Sequence, residues 1–212
     1  MGGSPYKILK EKTYFPNLNF DADDLILEIG SEWWDGHTAY LHEIALQRNV
    51  QFMTVDVVDE PRQKNNHLGI NFTIAESGSK WCKEVLPTLN KKIKILHLDN
   101  FDWIYNPNVE DPQVQAQIES YAVRGVVMNN ENSQAEHRLQ IERCMPYMAE
   151  QSIIIMDDTY VWSDENGTAW SGKCGSAINL LINNGYNVKQ IWGQPIFNDQ
   201  YGAIAWRGVD LQ

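Results

Sequence analysis

The sequence predicts an α/β protein built on a doubly wound, mostly parallel sheet. Three observations predict it. Short runs rich in Ile, Leu, Val and Phe recur along the 212 residues and alternate with segments of helical periodicity. Several of these runs end on an acidic residue, as buried parallel strands do when polar groups gather at their carboxyl ends. Near its end the chain has two candidate strands joined by Gly193-Gln194-Pro195, close enough to pair as an antiparallel hairpin.

The elements follow in order. Leu25–Gly30 is the first apolar run, Gln51–Val57 the second, Asn71–Glu76 the third, Ile93–Asp99 the fourth and Ser152–Asp158 the fifth. Between them, Thr38–Gln47 carries Tyr40, Leu41, Ile44 and Ala45 at helix spacing. Lys80–Leu89 reads as a shorter helix stopping near Pro87. Ala135–Met148 places Leu139, Ile141, Cys144 and Met148 along one inward face. Ser176–Asn184 is a helix ended by Gly185. Val188–Trp192 and Tyr201–Trp206 are the closing strands. Two stretches escape this alternation, Tyr105–Arg124 and Tyr160–Lys173, and both are expected as loops covering the carboxyl edge of the sheet. Residues 1–24 are expected to form a cap or extension on a single domain spanning 25–212.

Composition narrows the function. Hydrophobic residues make up 43% of the chain, enough for a sizeable core at this length. The formal charge of −11 repels phosphate backbones, so neither nucleic acid nor an anionic membrane is an expected partner. Three cysteines without CxxC spacing suggest neither a disulfide framework nor a zinc site. The first residues lack the pattern of a signal peptide or a myristoylation site, and no stretch has the length of a membrane helix. The expectation is a cytoplasmic protein acting on a small molecule, possible as a homodimer.

The segment Leu27-Glu28-Ile29-Gly30-Ser31-Glu32-Trp33-Trp34-Asp35-Gly36-His37-Thr38 follows a strand and opens a helix. Gly30 permits a sharp turn where a side chain would block a nucleotide, and Gly36 brings backbone amides to a ligand carboxylate. Asp56 ends the next strand, where a carboxylate can accept both hydroxyls of a ribose. A plain turn capped by Asp35 is the simpler alternative. The glycines are too widely spaced for a dinucleotide fingerprint. A second group is acidic: Asp99 with Asp102 after the fourth strand, and Asp157 with Asp158 after the fifth. Neighbouring strands would crowd these carboxylates at one edge, where Mg²⁺ or Ca²⁺ could balance them and activate a hydroxyl.

The Glu-x-Gly-x(5)-Gly-x-Thr segment resembles motif I of class I methyltransferases, and the likeness in element order runs from about Leu25 to Trp206. The resemblance implies a Rossmann-like fold of seven strands, the last antiparallel, and S-adenosylmethionine as cofactor. It implies Glu28, Gly30, Ser31, Gly36 and Thr38 at the cofactor's amino-acid end, Asp56 at the ribose, and Glu76 and Ser77 at the adenine, with Asp99 also close to the cofactor. The acidic group resembles the metal-dependent small-molecule O-methyltransferases of the catechol and macrolide-sugar types. That likeness implies Asp99, Asp157 and Asp158 as metal ligands and a small-molecule hydroxyl as acceptor. The catechol type carries a catalytic lysine where this sequence has Asp102, so Asp102, His97 or another group would be the base.

Gly172-Lys173-Cys174-Gly175 is similar to the Gly-Lys-Gly of the sugar-type enzymes, and Lys173 is expected to orient substrate, neutralise the carboxylates or sit exposed at a helix start. Asp99, Asp102 and Lys173 are thus the catalytic candidates. Trp33, Trp34, Trp103, Trp162 and Trp170 fall on edge loops, where aromatic faces could stack on a substrate or surround a sulfonium. The alternatives are a metal-independent N- or O-methyltransferase, a nucleotide-dependent oxidoreductase and a non-catalytic binding module.

Overall fold

A computed structural model describes residues 18–31, 36–165, 167–194 and 198–210. Nine strands and six α-helices lie within them. These are β1 (Asp24–Ile29), α1 (His37–Arg48), β2 (Gln51–Asp56), α2 (Glu60–Asn65), β3 (Asn71–Ile74), α3 (Gly78–Glu84) and β4 (Lys92–Leu98). There follow α4 (Pro112–Ala122), α5 (Asn130–Cys144), β5 (Met148–Asp157), β6 (Thr159–Asp164), β7 (Gly167–Gly172), α6 (Ile178–Asn183), β8 (Asn187–Gln194) and β9 (Asn198–Arg207).

Seven strands form one sheet in the order β3-β2-β1-β4-β5-β9-β8. The pairings from β3 through β5 are parallel, and β9 is antiparallel to both of its neighbours. The strand order reverses between β1 and β4, so their carboxyl ends diverge into a crevice where ligands bind in sheets of this kind. The predicted sheet and its terminal hairpin are therefore present.

The central strands are apolar throughout because both faces of the sheet are covered. Their side chains sort by parity. Leu25, Leu27 and Ile29 pack with Leu96, Leu98, Ile154 and Met156 beneath Trp81 and Cys82 of α3 and Ile141 and Cys144 of α5. Ile26, Ile95, Ile153 and Ile155 face the other way, onto Leu41, Ile44 and Ala45 of α1. Leu18 joins this second cluster and Phe20 packs against it. The earlier residues of the predicted cap lie outside the described residues.

Several boundaries depart from expectation. Tyr105–Arg124 contains α4, started by Asp111, whose carboxylate accepts the Gln113 N–H at 2.8 Å. Tyr160–Lys173 is largely the β6–β7 hairpin. Helix α5 begins at Asn130 because Asn129 caps it, and Leu139 is exposed where an inward position was expected. Met148 opens β5. Helix α6 is shorter than predicted, with a 3₁₀ turn at Gly175–Ala177 before it.

Candidate active site

The loop after β1 is shaped from below. Glu28 is fully buried on the α1 face of the sheet, beside Thr54 of β2 and His97 of β4, its parallel-sheet neighbours. Its Oε2 accepts from Thr38 Oγ1 at 2.8 Å and Thr54 Oγ1 at 2.6 Å. Its Oε1 lies 2.9 Å from His37 Nδ1 and 3.3 Å from His97 Nδ1. Burial opposes ionisation, but the two histidines outweigh it and hold the carboxyl at about 2. Thr54 spends its proton on Glu28, so Ser31 Oγ donates to Thr54 Oγ1 at 2.5 Å. Glu28 and Thr38 therefore stand beneath the loop and brace it.

Gly30 has φ +93°, and a Cβ there would lie 2.3 Å from Asn100 N and 2.5 Å from the Asp99 carbonyl oxygen. A side chain here would strike the turn after β4, a constraint on this glycine that the sequence does not show. Gly36, at φ +88°, faces open space and starts α1. Trp33, Trp34 and Asp35, between them, lie outside the described residues.

Asp56 Oδ2 accepts the Ser31 N–H at 2.8 Å, and Oδ1 accepts those of Val57 and Val58 at 2.6 and 3.1 Å. Burial raises it above the usual carboxylate range. Three donors leave it room for a further one, since a carboxylate offers about four acceptor sites. Ser77 caps α3 by accepting from Lys80 N at 3.1 Å, and Glu76 is exposed and paired with Lys80.

The acidic group forms the second half of the site, and its centre is Lys173. The Lys173 ammonium lies 2.9 Å from Asp99 Oδ1, 3.0 Å from Asp158 Oδ2 and 3.8 Å from Asp157 Oδ2. The lysine side chain is 2% exposed, whereas Asp99, Asp157 and Asp158 are 23%, 20% and 17% exposed. The carboxylates thus present the accessible surface, with the cation behind them. Burial works against the charge on Lys173, but the three aspartates prevail and raise its pKa well above the ordinary value. The opposite holds for Asp157, which burial and the neighbouring carboxylates push well above the usual carboxylate range.

The two halves are joined by His37. Its Nδ1 meets Glu28 and its Nε2 meets Asp99 Oδ2 at 3.2 Å, so both nitrogens donate and the imidazolium is favoured. On the far side, the Tyr105 hydroxyl donates to Asp158 Oδ1 at 2.5 Å, which with burial raises its own pKa. Tyr160 of β6 stacks on Tyr105, ring centres 6.3 Å apart. Asp102 is exposed, its N–H donating to the Tyr121 hydroxyl at 2.7 Å. His97 is buried under the loop and burial lowers its pKa, so it is not placed as a base for a bound acceptor.

Sequence reasoning missed the bridging role of His37, the Tyr105 contact and the burial of Lys173. Only pairing across the fold reveals them. Trp103 and Trp170 are partly buried, and Trp162 is exposed on β6.

A S-adenosylmethionine cofactor fits: Gly36 opens to free space, Asp56 keeps an acceptor site, and Asn100 Oδ1 is a buried acceptor without a donor at the same edge, suited to an ammonium. A divalent cation does not fit among Asp99, Asp157 and Asp158, the ligand set the resemblance implies. Their shared position is taken by the Lys173 ammonium. Two like unit charges about 4 Å apart repel by ~4 kcal/mol at an effective dielectric constant of about 20, and a divalent ion doubles that. Glu28, His37 and His97 also come together within 4.8 Å, but they are buried and both histidines are already hydrogen-bonded to Glu28.

No family model matches the sequence, and no curated protein matches it significantly. Solved structures do. MycE methyltransferase from the mycinamycin biosynthetic pathway, in complex with Mg and S-adenosylhomocysteine (SAH), superposes with a TM-score of 0.55 at 12% identity, over 99% of this chain and 51% of that one. A "putative methyltransferase" of Streptococcus mutans in complex with SAH gives 0.53 at 10% identity, covering 97% and 99% of the two chains. An rRNA methylase of Streptococcus thermophilus gives 0.52 at 10% identity, covering 98% of each. The fold is that of the Rossmann-like methyltransferases. Among the described residues no helix is long and apolar enough to cross a membrane.

Proposed function

We propose that the protein is a S-adenosylmethionine-dependent methyltransferase acting on a hydroxyl of a small molecule, with Asp157 receiving the hydroxyl proton. The observation that carries this reading is the meeting of a braced β1–α1 loop with three partly exposed carboxylates held around one buried cation. When bound, the cofactor supplies a methyl on a sulfonium, which departs as a neutral thioether once the acceptor oxygen has taken the methyl.

The chain's own residues divide the remaining work. Gly30, Ser31, Gly36 and Asn100 line the amino-acid end, Asp56 takes the ribose, and Glu76 and Ser77 border the adenine. Glu28 and Thr38 hold that loop from beneath. Asp99 is held by Lys173 and His37, and Asp158 by Lys173 and Tyr105, so both are engaged as fixed acceptors. Asp157 lies beyond hydrogen-bond distance of Lys173, and its partner across β9 is Gly202, which adds no side chain beside it. It is therefore the carboxylate best able to take a proton, and a raised pKa suits a general base. Asp102, Trp103 and Tyr105 border the acceptor. The site's part is alignment and electrostatics.

The −11 charge and the acidic edge favour an uncharged or cationic small acceptor over RNA. The test is transfer of labelled methyl from S-adenosylmethionine to phenolic and sugar hydroxyl panels, with ribosomal RNA in parallel. Transfer to a small hydroxyl, reduced ~10²–10⁴-fold in Asp157→Asn, is expected. Transfer to RNA alone would replace the acceptor. An absorbance change with reduced nicotinamide and no methyl transfer would favour an oxidoreductase instead.

A further inference from the structure

We propose that Lys173 is the resident cation of this site, holding the place of a divalent ion among Asp99, Asp157 and Asp158, so that the site assembles without a metal. The inference rests on reading this edge as the methyl-transfer site. Its support is the way the chain delivers the lysine. Hairpin β6–β7 leaves the sheet directly after Asp158 and returns Lys173 to the same point.

Two backbone clasps close that return. Lys173 N donates to the Asp158 carbonyl at 3.0 Å. Thr159 Oγ1 donates to the Asp157 carbonyl at 3.0 Å and accepts from Cys174 N at 3.1 Å. Asp158 at φ +46° and Gly172, next to Lys173, at φ +81° both take the left-handed conformation at this clasp. A Cβ on Gly172 would fall 1.8 Å from the Asp158 carbonyl oxygen, so the closure requires glycine there. Lys173 is thus fixed at its backbone and 2% exposed, unlike a surface lysine that could swing away from an arriving ion. It acts through the carboxylates as a positioning residue: it orders Asp99 and Asp158, while Asp157 lies beyond hydrogen-bond distance of it at 3.8 Å.

The experiment is thermal unfolding of the full chain, wild type and Lys173→Met, with Mn²⁺, with Mg²⁺ and with chelator, alongside calorimetric titration of Mn²⁺ and of SAH. Wild type is expected to show the same Tm in all three conditions and no Mn²⁺ binding. Lys173→Met, which removes the cation the three carboxylates share, is expected to gain Mn²⁺ binding and a Tm rise of several degrees with the ion. Stoichiometric Mn²⁺ binding by the wild type, lost in Asp158→Asn, overturns the proposal. So does a folded Lys173→Met that binds no ion. Should Lys173→Met not fold, the wild-type titration decides alone. SAH binding reports separately on the methyltransferase reading: SAH without Mn²⁺ supports both, and Mn²⁺ with SAH removes only the lysine's role.

Discussion

At the scale of single residues, two glycines carry constraints that the sequence could not reveal. Gly30 and Gly172 both take positive φ, and each presses its α-carbon against another segment's backbone. Gly172→Ala should destabilise the fold by about 2–3 kcal/mol, read by urea unfolding, because backbone rather than a movable side chain stands in the way. Gly36→Ala adds only the backbone strain, since its Cβ would meet nothing. His137 gives a pH prediction. It is buried on α5, its Nδ1–H donates to the Ser133 carbonyl at 2.8 Å, and burial lowers its pKa to about 3. An unfolded histidine titrates near 6.5, so between these values only the unfolded chain binds the proton. The stability His137 contributes is therefore complete above about pH 6.5 and is lost as pH falls towards 3. Urea unfolding over that range should show a shallower acid limb for His137→Gln.

At the scale of elements, the strands were legible and their partners less so. Each central strand announces itself because both of its faces are apolar, a pattern that helix or loop rarely produces at that length. Helix α4 was hidden by Pro107 and Pro112: a proline looks like a breaker, yet Pro112 sits in the first turn, where no N–H is needed. The β6–β7 hairpin was hidden because it forms a separate two-stranded sheet with Val161, Trp162 and Ser163 exposed, so no buried apolar run marks it. Its register is fixed by the clasps at its base. Thr159→Val removes both hydroxyl bonds and leaves Cys174 N without its acceptor, so a loss of ~1–3 kcal/mol is expected by urea unfolding. The same variant should lower methyl-transfer turnover more than it weakens SAH binding, because the clasp holds Lys173 and not the cofactor loop.

At the scale of the whole molecule, the site is one hydrogen-bonded chain across four strands. It runs from Thr54 and His97 through Glu28, His37, Asp99, Lys173 and Asp158 to the Tyr105 hydroxyl. The carboxyl groups were visible in the sequence because acids ending apolar strands are conspicuous. The pairing of those acids with Lys173 was not, since the lysine lies 15 residues or more along the chain from each of them. Neither was the burial of Glu28, because a residue type does not disclose which face of the sheet it occupies. Tyr105→Phe, at the end of this chain, should leave SAH binding unchanged and reduce turnover several-fold, checked by calorimetry beside the transfer assay.

This edge of the sheet is proposed to bind S-adenosylmethionine and to move its methyl group. Isothermal titration with SAH, in chelator, tests it most directly. Micromolar binding at one site per chain is expected, weakened at least ~10-fold in Asp56→Ala, a carboxylate that also holds the loop at Ser31. Absence of binding by SAH and by S-adenosylmethionine to the folded wild-type chain would contradict it.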